Sequence, residues 1–150
     1  MQQEDLKDII PLYRNHNVYN KCSENDLVQH VLPSLYLNQY KVFRYDNTGV
    51  AYAFTNWAFL NDKAQEKFKK TGELNKFDWN SGKHCWHIDT ITNTDIKLKD
   101  IYNWTAHNFL KILPEDTDVH WIRLNQDSNA VARIHKMTIK DGLRKFKKEI

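Results

Sequence analysis

The sequence predicts a mixed α/β (α+β) domain in which helices flank a central sheet. Segments with the apolar spacing of helices are interleaved with short segments that alternate like strands. The 150 residues suit one domain, and 41% of them are hydrophobic. Only four glycines and three prolines occur, too few for a linker-rich or collagen-like chain. Residues 1–150 are therefore expected to form a single domain.

The first half of the chain predicts two helices and then a hairpin. Glu4 to Tyr13 has the spacing of a short amphipathic helix. Ser23 is a good N-cap for a second helix, and Pro33 is expected to kink that helix or to end its regular part. Residues 40–45 alternate like a strand, and the turn signal DNTG joins them to a returning strand over residues 50–57.

The second half predicts two further helices and three strands. A polar helix-forming segment comes first, and the turn Asn80-Ser81-Gly82 precedes a third strand. The chain closes with a basic amphipathic segment, KDGLRKFKKEI. The predicted ranges are residues 61–70 and 97–113 for the helices, and 85–91, 118–124 and 131–139 for the strands.

Composition and charge exclude several classes of protein. The net charge of +3 permits an acidic partner without requiring one. The start of the chain does not resemble a signal peptide, and no apolar run approaches the roughly 20 residues of a membrane span. Cys22 and Cys85 are too few for a disulfide framework or a cysteine-rich metal site. We therefore expect a cytoplasmic protein with no membrane span.

The segment DWNSGKHCWHIDTI, residues 78–91, places a carboxylate in an unusual position. After a turn signal it enters a run of aromatic and branched residues, and Asp89 lies inside that run. Strand interiors disfavour Asp, and burying an unpaired charge is costly. An acid at position 89 therefore needs an explanation, which is either a function or a structural pairing with an Arg or a backbone turn.

This segment resembles the signature of the toxin-activating lysine-acyltransferases, which fatty-acylate protoxins of the RTX class. The family pattern is Asp-Trp-x-Ser-Gly, three residues, then Trp-x-Ile-Asp-x-Ile. VLPSLYLNQY, RYDNTGVAY, NWAFL and WIRLNQDSNAVARIHKM resemble further family segments in the same order, so the resemblance covers residues 10–140. The matching signature residues are Asp78, Trp79, Ser81, Gly82, Trp86, Ile88, Asp89 and Ile91.

The resemblance implies a variant of the GNAT acetyltransferase fold, with which the predicted order of elements is compatible. A GNAT phosphate loop is Gly-rich and precedes a helix, whereas TITNTDIKLK, residues 90–99, has no glycine. We therefore expect no bound cofactor and, as in the family, acyl-acyl carrier protein as the donor. Acyl carrier protein is acidic and could dock on a basic face, although a solvated surface is the alternative. The candidate docking residues are Lys97, Lys99, Arg133 and Lys136.

The family's catalytic pair is a His and an Asp, and Asp89 falls on the catalytic Asp. It would orient an imidazole and stabilise the imidazolium. His16 with Tyr19 resembles the family's His-x-x-Trp and predicts His16 as the base. Counted back from Val31 without a gap, the position falls on Tyr19, and a small insertion would restore His16. Tyr19 and His87 are therefore fallback bases, and His87 is expected to share the strand face of Asp89.

The remaining tryptophan, histidine and cysteine residues are candidates for structural roles, and for the tryptophans a substrate-binding role is the alternative. Trp57 and Trp86 belong either to the core or to a substrate or acyl-chain channel. His30 is expected on a helix surface. HCWH has strand geometry and does not predict zinc, so no metal is expected. Cys85 shows no cause for the low pKa that a nucleophile needs.

The resemblance predicts an acyltransferase that matures a bacterial toxin in the producer cytoplasm by acylating a Lys of the protoxin. Short relatives suggest an alternative, a microcin maturation subunit that works with a second protein. Together they join a siderophore to the C-terminal end of a bacteriocin precursor peptide. A non-catalytic docking partner with the same fold is another alternative. A homodimer is left open, and nucleic acid is not expected because the basic end lacks a reading motif.

Overall fold

The computed structural model describes residues 2–16, 18–93, 97–125 and 130–147. The predicted order of elements is confirmed, and the basic C-terminal segment forms a further short helix. The helices are α1 (Gln2–Arg14), α2 (Glu24–Tyr36), α3 (Asp62–Thr71), α4 (Leu98–Leu110) and α5 (Ile139–Lys145). The strands are β1 (Tyr40–Arg44), β2 (Ala51–Leu60), β3 (His84–Thr92), β4 (Asp118–Leu124) and β5 (Val131–Thr138).

Local caps explain where the helices begin and end. The Ser23 side chain accepts a hydrogen bond from the Asp26 amide and starts α2, as the sequence predicts. Asn61 caps α3 in the same way, and Gly72, with φ of 69°, ends it in the left-handed region. Pro33 does not end α2, which runs on to Tyr36, because proline removes one backbone donor but leaves the following turn intact.

The five strands form one mixed sheet in the order β1-β2-β3-β4-β5. All neighbours are antiparallel except β3 and β4, which run parallel. These two strands pair over Cys85–Val119 and Trp86–His120, near their beginnings. Beyond that point they separate, and a wedge opens between their carboxyl ends. This mixed α/β architecture is compatible with the GNAT-like fold.

A β-bulge in β3 determines which way Asp89 points. Trp57 of β2 pairs with His87, but the next residue back, Asn56, pairs with Asp89. Ile88 is the extra residue, so the alternation of side chains shifts by one at this point. Asp89 consequently points to the face of the sheet that carries α1 and α2, and His87 points to the opposite face.

Three clusters of buried side chains form the core. The first joins α1 and α2 to the sheet, and the second joins α3 to it. The third lies under α4 and α5. No helix among the described residues is long and apolar enough to cross a membrane.

Candidate active site

Three side chains from different parts of the chain meet at Asp89. The carboxylate is 8% exposed. The Tyr13 hydroxyl donates to Oδ2 at 2.6 Å, and the Tyr19 hydroxyl donates to Oδ1 at 2.9 Å. Nε2 of His30 lies 2.7 Å from Oδ2. Because both carboxylate oxygens have close polar partners, the charge is tolerated inside an apolar strand.

A second set of hydrogen bonds fixes the backbone at Asp89. The Asp89 amide donates to Oδ1 of buried Asn56 at 2.9 Å. The amide group of Asn56 donates to Ser34 Oγ of α2 at 3.0 Å, and Ser34 donates to the Val31 carbonyl. This chain ties β2 and β3 to the helix that carries His30, so the distance between His30 and Asp89 is set by buried contacts on both sides.

Burial and charge oppose each other in the pKa values of this pair. Burial favours neutral Asp89, but the charge and hydrogen bond of His30 and the two tyrosine hydroxyls outweigh it and lower the Asp89 pKa. Burial likewise lowers the His30 pKa, but the charge and hydrogen bond of Asp89 prevail and raise it above 6.5. The Asp89 carboxyl is therefore held in its charged form, and His30 binds a proton more readily than a free imidazole does.

His30 is the functional candidate that sequence analysis missed. The prediction that it lies on a helix surface is only half right, because its side chain is 33% exposed but reaches the Asp89 carboxylate. Nε2 is engaged by Asp89, whereas Nδ1 makes no hydrogen bond within the described part of the chain. A sequence signal existed, since His30 lies at the border of the apolar stripe formed by Leu27, Val31 and Leu35.

His16 does not contact the carboxylate. Its Nδ1 accepts a hydrogen bond from the Val18 amide at 3.2 Å, and its ring lies 5.3 Å from that of Tyr19. Burial lowers the His16 pKa, and the charge of Asp89 opposes this shift. The structure thus brings His16 to the wall of the same cleft, but Tyr19 makes the bond to Asp89.

The expectation that His87 shares the face of Asp89 is wrong because of the bulge at Ile88. His87 Nε2 contacts Thr55 Oγ1 and lies 3.1 Å from Thr90 Oγ1. Its ring faces Tyr102 of α4, on the other side of the sheet. Burial lowers the His87 pKa to about 4.

A cleft of about 1100 Å³ occupies the wedge between β3 and β4. His30 and Asp89 line it on one face of the sheet, and His87 and Tyr102 line it on the other. Trp57 and Trp86 are packed in the core instead, with exposures of 6% and 0%. Trp79, which is 2% exposed, contributes to the lining.

The candidate docking residues occupy two places. Lys97 and Lys99 lie at the beginning of α4. Arg133 and Lys136 lie on β5, an edge strand of the sheet. Lys136 Nζ is 3.9 Å from Asp118 Oδ2, and its side chain is 68% exposed. These cations are therefore spread over two elements.

Other chemistries find little support. Among the described residues, no three His, Cys, Asp or Glu side chains are grouped so that they could hold a metal ion. Burial raises the Cys85 pKa to about 12, so its thiol is a poor nucleophile. The imidazole and carboxylate in the cleft wall, by contrast, can remove a proton from an amine or a hydroxyl.

Comparisons with known proteins agree with this chemistry. Residues 2–138 match the model of the RTX toxin acyltransferase family. An uncharacterized protein, sll0720, of Synechocystis sp. is 27% identical over 86% of this chain and 85% of its own length. The leukotoxin-activating lysine-acyltransferase LtxC of Aggregatibacter actinomycetemcomitans is 35% identical over 53% of this chain and 47% of its own. The RTX-I toxin-activating lysine-acyltransferase ApxIC of Actinobacillus pleuropneumoniae is 33% identical over 59% and 51%. The match thus spans about half the length of each activator.

Proposed function

The chain is an acyltransferase that belongs to the RTX toxin acyltransferase family, and from this membership we propose that it acylates a lysine of a bacterial protein toxin. The observation that carries the proposal is the 2.7 Å contact between His30 and the buried carboxylate of Asp89 at the cleft wall. Acyl carrier protein supplies the acyl group in this proposal, and the reaction takes place in the producer cytoplasm.

The orientation of His30 assigns a role to each ring nitrogen. Nε2 holds its proton toward Asp89, so Nδ1 carries the lone pair that accepts a proton from the substrate. When the imidazole becomes charged, the adjacent carboxylate stabilises it. Asp89 is thus an orienting and stabilising group, and His30 is the general base.

The reaction follows from these roles. The neutral amine of the target lysine attacks the thioester carbonyl of the donor, and His30 Nδ1 takes a proton from the attacking nitrogen. The tetrahedral intermediate collapses, and the C–S bond breaks as the new C–N bond is retained. The imidazolium returns its proton to the leaving thiolate, so the products are an amide and a free thiol.

Tyr19 occupies the position at which the resemblance places the catalytic histidine, so the base must come from another part of the chain. Gap-free counting puts Tyr19 where the resemblance expects the catalytic histidine. Tyr19 and His30 both contact the Asp89 carboxylate, and their ring centroids are 5.2 Å apart. An imidazole from α2 therefore reaches the same carboxylate that the family's histidine would use. His16 remains the alternative base because it lines the same cleft.

The cleft and the surface charge support a carrier-bound donor. The wedge between β3 and β4 gives an extended acyl thioester access to His30. Arg133 and Lys136, on the edge strand, offer cations to an acidic carrier protein, with Lys97 and Lys99 as the second candidate patch. This transfer from a carrier-bound thioester to a lysine amine requires no bound cofactor.

Co-expression with the toxin or peptide encoded beside this chain tests the function. Intact mass of the target is measured with wild type, Asp89→Asn and no acyltransferase. We expect a fatty-acyl mass increase that requires Asp89. A siderophore-sized increase that requires a second protein would instead support the microcin alternative. An unmodified target with a folded wild-type protein would contradict catalysis and favour a docking partner.

A further inference from the structure

The cleft is also lined by the imidazole of His87, which the proposed transfer does not use. It lies on the face of the sheet opposite to Asp89, because the bulge at Ile88 separates the two side chains. It lines the cleft together with Tyr102, and their rings meet edge to face at 6.2 Å. His87 is half-buried, so part of its ring is accessible from the cleft.

The hydrogen bonds of Thr55 favour one tautomer of His87. The Thr55 hydroxyl donates its single proton to the Asp89 carbonyl at 2.8 Å. With that proton on the carbonyl, Thr55 Oγ1 accepts in its contact with His87 Nε2, and Thr90 Oγ1, 3.1 Å from Nε2, can accept there as well. This arrangement places the proton of the neutral ring on Nε2. Nδ1 is then an unprotonated acceptor, and it makes no hydrogen bond within the described part of the chain.

The environment keeps this acceptor available. Burial lowers the His87 pKa to about 4, so the ring is neutral at physiological pH. Buried Phe109 and Ile139 also line the cleft and offer no side-chain donor. A purely hydrocarbon ligand beside Nδ1 would leave the acceptor without a partner, which is unfavourable.

We propose that Nδ1 of His87 accepts a hydrogen bond from the acyl donor, and this inference rests on the proposed acyl transfer. The donor group is an N–H of the pantetheine amides or a hydroxyl on the acyl chain. The two sources share one chemistry, a neutral hydrogen-bond donor. His87 is accordingly a binding residue for the donor substrate, on the face opposite to the base.

Binding of two unreactive donor analogues tests this role. S-decyl pantetheine and its β-hydroxydecyl counterpart, both thioethers, are titrated by calorimetry into wild type, His87→Phe and His87→Asn. Phe removes the acceptor and keeps the ring, whereas the Asn side-chain oxygen can replace Nδ1. His120→Phe is the matched control, since His120 stacks on Trp86 and is not part of the cleft lining.

We expect His87→Phe to weaken binding about 3- to 10-fold, with recovery in His87→Asn and no change in His120→Phe. An equal loss for both analogues assigns the amide N–H, and a loss for the hydroxylated one alone assigns the hydroxyl. Wild-type affinity in His87→Phe overturns the inference and leaves the proposed function intact. Absence of wild-type binding together with absence of acyl transfer would overturn both.

A measurement on the wild type avoids any effect of substitution on folding. NMR of isotope-labelled imidazole nitrogens reports Nδ1 and Nε2 of His87 separately. The Nδ1 resonance is expected to shift when either analogue is added, while Nε2 stays bonded to Thr55. An unchanged Nδ1 resonance at saturating analogue would overturn the inference.

Discussion

Nε2 of His30 lies 2.7 Å from Oδ2 of Asp89, although 59 residues separate them in the chain. The pair joins the middle of α2 to the bulged part of β3, at the wall of the cleft. Two tyrosine hydroxyls complete the coordination of the carboxylate. In the proposed reaction, this arrangement holds the base and its orienting group at the wall of the cleft that the thioester enters.

Asp89→Asn is expected to lower the acyl-transfer rate by about 10²- to 10⁴-fold without unfolding the protein. The amide is isosteric but carries no charge to stabilise the imidazolium. Asp62→Asn is the matched control, because Asp62 lies 2.6 Å from His84 in an exposed pair outside the cleft lining. Initial rates on purified target and donor measure both. Equal rates in wild type and Asp89→Asn would contradict the role of the carboxylate.

The pH dependence of the rate reports the His30 pKa. Asp89 raises that pKa above 6.5, and a general base acts when it is unprotonated. The rate should therefore increase with pH, with the midpoint of the acid limb above 6.5. In Asp89→Asn, the residual activity should show a lower midpoint, because the stabilising charge is gone. A wild-type midpoint below 6.5 would disagree with this account.

Tyr13→Phe is expected to lower the free energy of unfolding by about 1–3 kcal/mol, since it removes a donor from a buried carboxylate. Tyr40→Phe removes a bond of the same length, 2.6 Å, to the more accessible Asp5. Tyr40→Phe should lower the free energy of unfolding by less than Tyr13→Phe does, because water can replace the lost hydroxyl at Asp5. Urea denaturation of both variants measures the difference, and a larger cost for Tyr40→Phe would count against the buried cluster.

Gly82 lies so close to the neighbouring backbone that a side chain has no room there. Replacing it with alanine tests this close approach. A Cβ there would lie 2.5 Å from the Asn61 Cα and 2.6 Å from the Leu60 carbonyl oxygen, both backbone atoms. We expect Gly82→Ala to cost about 1–3 kcal/mol. Gly142→Ala, in α5, has its nearest neighbours at 3.8 Å and should be neutral or stabilising. Thermal melts that show equal effects would contradict this difference.

The sequence predicted the elements well because their signals are local. Apolar spacing and the Ser23 cap placed α2, and the strand predicted over residues 118–124 coincides with β4. Asp89 stood out because a carboxylate inside an apolar strand contradicts local preference, and the resemblance placed it on the family's catalytic Asp. These predictions require no knowledge of contacts between distant parts of the chain.

The partner of Asp89 could not be predicted in the same way. Whether His30 reaches β3 depends on how α2 packs on the sheet, which periodicity does not specify. The face of His87 depends on one extra residue in a strand, and a bulge inverts every alternation argument beyond it. The missed contact of His30 and the wrong face of His87 therefore share one cause. Each depends on how separate elements pair or pack, which the local pattern does not specify.

The acyl-transfer rates of His30→Ala and His16→Ala, measured side by side on the same target and donor, test the central claim most directly. We expect His30→Ala to lose about 10²- to 10⁴-fold in rate. His16→Ala should stay within a few-fold of wild type, since His16 does not touch Asp89. The opposite result, with activity lost in His16→Ala and kept in His30→Ala, would contradict the assignment of His30 as the base.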